Sequence, residues 1–287
     1  MSDDRHENAG DERRFDFGKN WTRFLQVLDD ERIDAAVASL RNLLGAELTG
    51  KAFVDVGSGS GLSSLAAHRL GAERIHSFDY DGGSVACTAE LRRRYAPATS
   101  AWTVERGDVL DRAYLARLGH FDVVYSWGVL HHTGRLWQAL ENVGRLVSPD
   151  GLLALALYRD QGLESRFWLA VKRIYNRNSL GRAAVIGVFV PAFFVRSGLV
   201  DLARRRNPIA RYREYKQERG MSVFHDWLDW LGGLPFEVAS ATEVLAFFEG
   251  RGFATVRMNR GTGSVRNHEY VFRRAPRADS GPSRSRS

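Results

Sequence analysis

Residues 53–61 read Phe53-Val54-Asp55-Val56-Gly57-Ser58-Gly59-Ser60-Gly61: an apolar run holding one acid, then three glycines at alternate positions. Glycine takes φ > 0 without a Cβ clash and lets a ligand approach the backbone, so the pattern suits a tight strand-to-helix turn beneath a nucleotide cofactor. A dinucleotide fingerprint would place its third glycine at position 62, which is Leu62, and the spacing therefore speaks against NAD. About 20 residues on, Ile75-His76-Ser77-Phe78-Asp79 closes a second apolar segment with a carboxylate suited to accept hydrogen bonds from both ribose hydroxyls. The following Asp81-Gly82-Gly83-Ser84 can cap the next helix by itself, which leaves Asp79 to a ligand. Trp102 to Val109 ends in Asp108, an acceptor for an adenine amino group, while Val109 offers its backbone N–H to the ring.

These residues need elements that bring them to one edge. Strands near 52–56, 74–79, 101–106, 121–126 and 151–158 alternate with helical patterns at 61–70, 83–95, 111–118 and 134–147, the signature of βαβ units around a parallel sheet. Phe253–Met258 and Asn267–Phe272 read as two last strands. Ligands of doubly wound sheets bind outside the carboxyl ends of the strands, where Gly57, Asp79, Asp108 and Ser126 all fall.

With Phe121-Asp122-Val123-Val124-Tyr125-Ser126-Trp127-Gly128-Val129-Leu130-His131-His132-Thr133 and the late Leu146-Val147-Ser148-Pro149-Asp150-Gly151 strand entry added, the chain resembles the class I S-adenosylmethionine-dependent methyltransferases. Within them it is most similar to the broad group that includes ubiquinone- and menaquinone-biosynthesis methyltransferases. The resemblance covers about residues 15–160 and 238–274. It implies an α/β fold: a doubly wound, mostly parallel seven-stranded Rossmann-like sheet with a C-terminal antiparallel hairpin and a helical cap insertion. The implied cofactor is S-adenosylmethionine, held by Asp55, Gly57, Ser58, Gly59, Gly61, Asp79, Tyr80, Asp108, Val109, Ser126 and Trp127, with no metal. Lys19, in a Phe15–Trp21 lid, is a candidate partner for the methionine carboxylate.

Methyl transfer needs alignment, exclusion of water and, for a hydroxyl acceptor, removal of a proton. The candidate bases are His131 and His132, on the loop after strand 4, with His132 slightly preferred, and His225, beside Asp226, which can orient it; His225 is the first choice.

The chain has 287 residues, 44% of them hydrophobic, enough for one substantial core with a decoration. Its organisation reads as a disordered tail (1–14), a cofactor-binding core with a helical lid (15–158), a helical substrate cap (159–237), completion of the sheet (238–274) and a basic disordered tail (275–287). The one cysteine, Cys87, permits no intramolecular disulfide, and the N-terminus lacks an apolar signal region, so a cytoplasmic location is expected.

The cap holds Ala183 to Val195, expected to be a buried helix: it is shorter than the roughly 20 residues of a bilayer crossing and Pro191 interrupts it, so no transmembrane segment is expected. An interfacial membrane contact and an apolar substrate channel are the alternatives. Arg204, Arg205, Arg206, Arg211, Arg213, Lys216 and Arg219 give the cap much of the net charge of +7 and suit an anionic acceptor. No RNA-recognition signature accompanies them, which disfavours nucleic acid. The favoured function is O-methylation of a natural product or sugar-containing metabolite, the acceptor being anionic or partly apolar. N-methylation of a small amine, RNA modification and a non-catalytic cofactor-binding protein are the other classes.

Overall fold

A computed structural model describes Leu25 and residues 28–45, 48–99, 101–203, 205, 207, 223–260 and 267–276, without the side chains of 223–226 and 229. The expected N-terminal tail, the C-terminal tail beyond Pro276, the Phe15–Trp21 lid with Lys19, and Arg204, Arg206, Arg211, Arg213, Lys216 and Arg219 lie outside the described residues.

Helix α1 (Asp30–Leu44) leads into β1 (Ala52–Val56), α2 (Leu62–Arg69), β2 (Arg74–Asp79), α3 (Gly82–Tyr95), β3 (Trp102–Arg106), α4 (Arg112–Leu118) and β4 (Phe121–Trp127). A short 3-10 turn (Leu130–His132), α5 (Leu136–Arg145) and β5 (Val147–Tyr158) follow. Helices α6 (Leu163–Arg177), α7 (Ser179–Ala203) and α8 (Val223–Gly232) form the insertion, and α9 (Ala241–Glu249), β6 (Phe253–Asn259) and β7 (Asn267–Arg274) complete the core.

The seven strands make one sheet in the order β3-β2-β1-β4-β5-β7-β6. β1 to β5 pair in parallel, and β7 runs antiparallel to both β5 and β6. This is the doubly wound Rossmann-like sheet with its antiparallel end. Alternation along each strand divides the core. Val54 and Val56 face the helices α4, α5 and α9 with Leu140, Val143 and Phe248, whereas Phe53 faces α1, α2 and α3 with Leu40, Leu65 and Leu91. Local signals start the helices: Asp81 Oδ1 accepts the Ser84 N–H at 2.7 Å, Asp111 Oδ1 accepts the Tyr114 N–H at 3.0 Å, and Ser240 with Glu243 forms a capping box before α9.

The insertion differs from expectation in one element. Pro191 does not interrupt α7, which runs 25 residues as a continuous helix. A mid-helix proline costs about 3 kcal/mol, and here aromatic packing on both sides of it works against that cost. Phe189 and Phe193 both lie on the Trp168 ring, at 5.4 and 6.3 Å, and Phe193 also meets Trp227 at 5.4 Å. Nor is the helix buried: only Val185, Val190 and Asp201 are enclosed. By length and composition it is long and apolar enough to cross a membrane, which the expectation of a short, interrupted stretch did not allow.

Candidate active site

β1 sits between β2 and β4, the point where strand order reverses and a crevice opens at the strand ends. The loop after β1 is pinned there by its own backbone. Gly57 and Ser58 N–H both donate to the Phe78 carbonyl, at 2.9 and 3.1 Å, and Gly61 N–H closes back on Ser58 at 2.8 Å. Gly57 has φ +78°, and a Cβ added to it would lie 2.4 Å from Val129 Cγ1. Only glycine fits that turn.

A cavity of about 270 Å³ opens against this loop. Gly57 forms its base; Asp79, Tyr80 and Asp81 come from the end of β2; Arg106, Gly107, Asp108 and Val109 from the end of β3; Val129, His132 and Thr133 from the loop after β4; and Leu234 from the segment that follows the insertion. Asp79 Oδ2 accepts from Gly59 N–H at 3.0 Å and Oδ1 from Asp81 N–H at 2.9 Å. Burial raises its pKa, an effect those backbone donors oppose. Asp108 Oδ1 accepts from Leu110 N–H at 2.9 Å, which turns the chain after β3. Arg106 donates from Nε to the Tyr80 carbonyl at 3.0 Å, and its guanidinium stands 5.6 Å from the centre of the Tyr80 ring.

The expected cofactor residues therefore divide. Gly57, Asp79, Tyr80, Asp108 and Val109 share the cavity wall. Asp55, Ser58, Gly59, Gly61, Ser126 and Trp127 stand behind or beside it. Asp55 is buried, accepts from Ser64 Oγ at 2.6 Å, and has its pKa pushed up to about 7 by burial. Ser58 Oγ pairs with Thr88 Oγ1 at 3.0 Å, and a Cβ on Gly61 would meet Thr88 Cγ2 at 2.8 Å. Ser126 Oγ donates to the Val56 carbonyl at 3.0 Å, and Trp127 stacks on Tyr125 with ring centres 5.4 Å apart. These groups hold the loop and strands that carry the wall.

The loop after β4 carries two histidines with opposite tautomers. His132 Nδ1 lies 2.7 Å from the Pro235 carbonyl, which can only accept, so Nδ1 bears the proton and Nε2 the lone pair. His131 Nδ1 lies 3.3 Å from the Tyr158 N–H, which can only donate, so His131 holds its proton on Nε2. Burial lowers both pKa values, that of His132 to about 4 against the opposing Pro235 bond. Lys172 lies behind them. Its ammonium donates to the Trp230 carbonyl and stands 4.8 and 5.0 Å from the Trp230 and Phe236 ring centres, and burial lowers its pKa to about 7. Glu237 fastens the returning chain: its N–H donates to the His131 carbonyl and its carboxylate accepts from Leu136 N–H, each at 3.0 Å. His225 and Asp226 fall within α8, and their side chains lie outside the described residues.

Sequence reasoning passed over Arg106, Val129, Thr133 and Leu234 as cavity residues. Arg106 carried a signal, a charge directly before Gly107-Asp108 at a strand end. Leu234 carried none.

Residues 54–153 match the family model of a methyltransferase domain. Ribosomal protein L11 methyltransferase of Desulfosudis oleivorans is 36% identical over 109 residues, covering 36% of this chain and 33% of that protein. The chain thus spans about a third of the length of that curated relative. Magnesium protoporphyrin IX methyltransferase from Synechocystis PCC 6803, solved with bound SAH, superposes with a TM-score of 0.53 at 13% identity, over 90% of this chain and 95% of that one. An O-methyltransferase family protein from Burkholderia thailandensis superposes with a TM-score of 0.51 at 13% identity, over 91% and 69%. Both share the fold.

Proposed function

We propose that the protein, whose residues 54–153 match a methyltransferase-domain family model, uses S-adenosylmethionine to move a methyl group onto a hydroxyl of a small natural product or sugar-containing metabolite. The residues on the cavity wall fit the cofactor. Asp79 offers a second lone pair on each carboxylate oxygen to the ribose, Asp108 and Val109 supply the acceptor and donor an adenine edge requires, and Gly57 keeps the base of the cavity bare. When bound, S-adenosylmethionine supplies a methyl group already activated on a sulfonium.

The protein's task is then alignment, dryness and a proton sink. His132 carries the reading for a hydroxyl acceptor, because it lines the cavity with its proton fixed on Nδ1 and its basic nitrogen therefore Nε2. Its pKa of about 4 keeps it neutral throughout the physiological range, so the base form is always present. A base that weak takes the proton only as the acceptor oxygen is being alkylated. Leu234 and Val129 supply apolar wall on either side. His225, within α8, remains the alternative base.

The match to ribosomal protein L11 methyltransferases supports a second reading, a protein acceptor. One experiment separates the two. Labelled cofactor is incubated with a metabolite extract and, separately, with ribosomal protein, and mass spectrometry identifies what gains a methyl group. Label on a hydroxyl of a metabolite supports the proposal; label only on protein, or on a nitrogen, replaces it.

A further inference from the structure

The insertion leaves several large apolar side chains in the open. Leu163 and Phe167 of α6 are 80% and 52% exposed, and Val188, Val195, Leu199 and Leu202 of α7 are 64%, 62%, 63% and 68% exposed. The α7 positions advance by seven, four and three residues, which places them along one side of the helix. Such a continuous apolar stripe is unusual on a soluble monomer.

Its charge pattern identifies what it meets. Ala183 to Val195 contains no charged residue, and Arg182 and Arg196 bracket it. From Leu163 to Ala203 there are six Lys or Arg residues against two acids, Glu164 and Asp201, and with Lys172 and Asp201 both buried, five bases and one acid remain at the surface. An apolar stripe edged by arginines matches the boundary between the acyl region and anionic headgroups, where long basic side chains reach up to phosphate while the stripe sinks in. A second copy fits poorly, since a self-complementary contact would set these arginines against each other. Crossing is the competing reading, since α7 is long and apolar enough by length and composition, but the placing of its arginines argues against it. The uncharged run of 13 residues is roughly 20 Å long as a helix, short of the ~30 Å hydrocarbon core.

We propose that α6 and α7 form an interfacial docking surface that lies flat on a bilayer containing anionic lipid. The stripe from Leu163 to Leu202 enters the acyl boundary, and Arg166, Arg182 and Arg196 meet the phosphates. The docking surface is independent of which acceptor the site methylates.

The full chain is sedimented with vesicles of phosphatidylcholine and with vesicles of phosphatidylcholine plus phosphatidylglycerol, at low and high salt. It is expected to pellet with the mixed vesicles and to be released by salt. Arg182→Glu with Arg196→Glu should weaken that binding by at least roughly 30-fold. Val195→Glu with Leu199→Glu should abolish it, and calorimetry should show that both variants still bind the cofactor product, which establishes that they are folded. The proposal is overturned if the parent stays in solution with both vesicle types, or if folded variants bind as the parent does. It is also overturned if the Val195→Glu, Leu199→Glu variant only converts a dimer to a monomer, because the stripe would then belong to a second copy.

Discussion

Asp79 Oδ2 accepts the Gly59 N–H at 3.0 Å, so the acid at the end of β2 also clamps the glycine loop at the end of β1. One side chain thereby shapes the loop and presents acceptors to the cavity. Asp79→Ala removes both roles and should weaken binding of S-adenosylmethionine by about 10- to 100-fold, the scale of losing charge-assisted hydrogen bonds. Asp108→Ala should cost less, because its removal leaves the loop clamp intact. Calorimetry with the cofactor and its demethylated product measures both. Unchanged affinity in Asp79→Ala would remove the assignment of this cavity to the cofactor.

Gly57 faces a double constraint, a positive φ of 78° and a Cβ position 2.4 Å from Val129 Cγ1. Gly57→Ala is therefore expected to destabilise the fold by about 1–3 kcal/mol and to weaken cofactor binding. Adding Val129→Ala should recover part of the loss by relieving the contact while leaving the backbone strain. Thermal denaturation of the two variants checks this, and equal stability of Gly57→Ala and the parent would contradict it.

Two buried groups shape the pH dependence of stability in adjoining windows. Asp55 has a folded pKa of about 7 against 3.8, so between those values the folded state keeps a proton that the unfolded chain has lost, and stability falls as pH rises. Lys172 has a folded pKa of about 7 against 10.5, so above pH 7 the unfolded chain binds the extra proton, and stability rises with pH up to the unfolded value. Each contribution is on the order of 4–5 kcal/mol. Asp55→Asn should flatten the acidic slope and Lys172→Met the alkaline one. Denaturant midpoints across pH 4 to 10, about the span of both windows, provide the measurement; slopes unchanged in the variants would refute the assignment.

The core was legible because its signals are local. The apolar runs ending at Asp79 and Arg106, the alternation of strand and helix, and the Asp81 cap each occupy a few consecutive residues, and each appears in the structure at that place. The far wall was not legible for the opposite reason. Pro235 reaches the His132 ring across 103 residues, and Glu237 reaches the Leu136 N–H across 101, so no short window contains both partners. Pro191 misled because local propensity argues for a break, whereas Trp168, from the preceding helix, packs Phe189 and Phe193 on either side of it.

The identity of the base follows from pH as well as from mutation. His132, with its pKa lowered to about 4 by burial, stays neutral well below physiological pH, so an enzyme relying on it should show kcat nearly flat from about pH 5.5 to 8. A base with the unperturbed pKa of about 6.5 would instead give activity that rises through that range. His132→Asn is expected to lower kcat by roughly 10²–10⁴ with cofactor affinity unchanged, and His225→Asn to leave kcat near the parent value. Because Nδ1 of His132 donates to the Pro235 carbonyl, Asn can keep that bond through its amide and lose only the basic nitrogen. If His225→Asn loses activity and the parent profile rises near pH 6.5, the base belongs to α8 instead. If both variants keep near-full kcat, the acceptor needs no base, and a neutral amine replaces the hydroxyl as the group methylated.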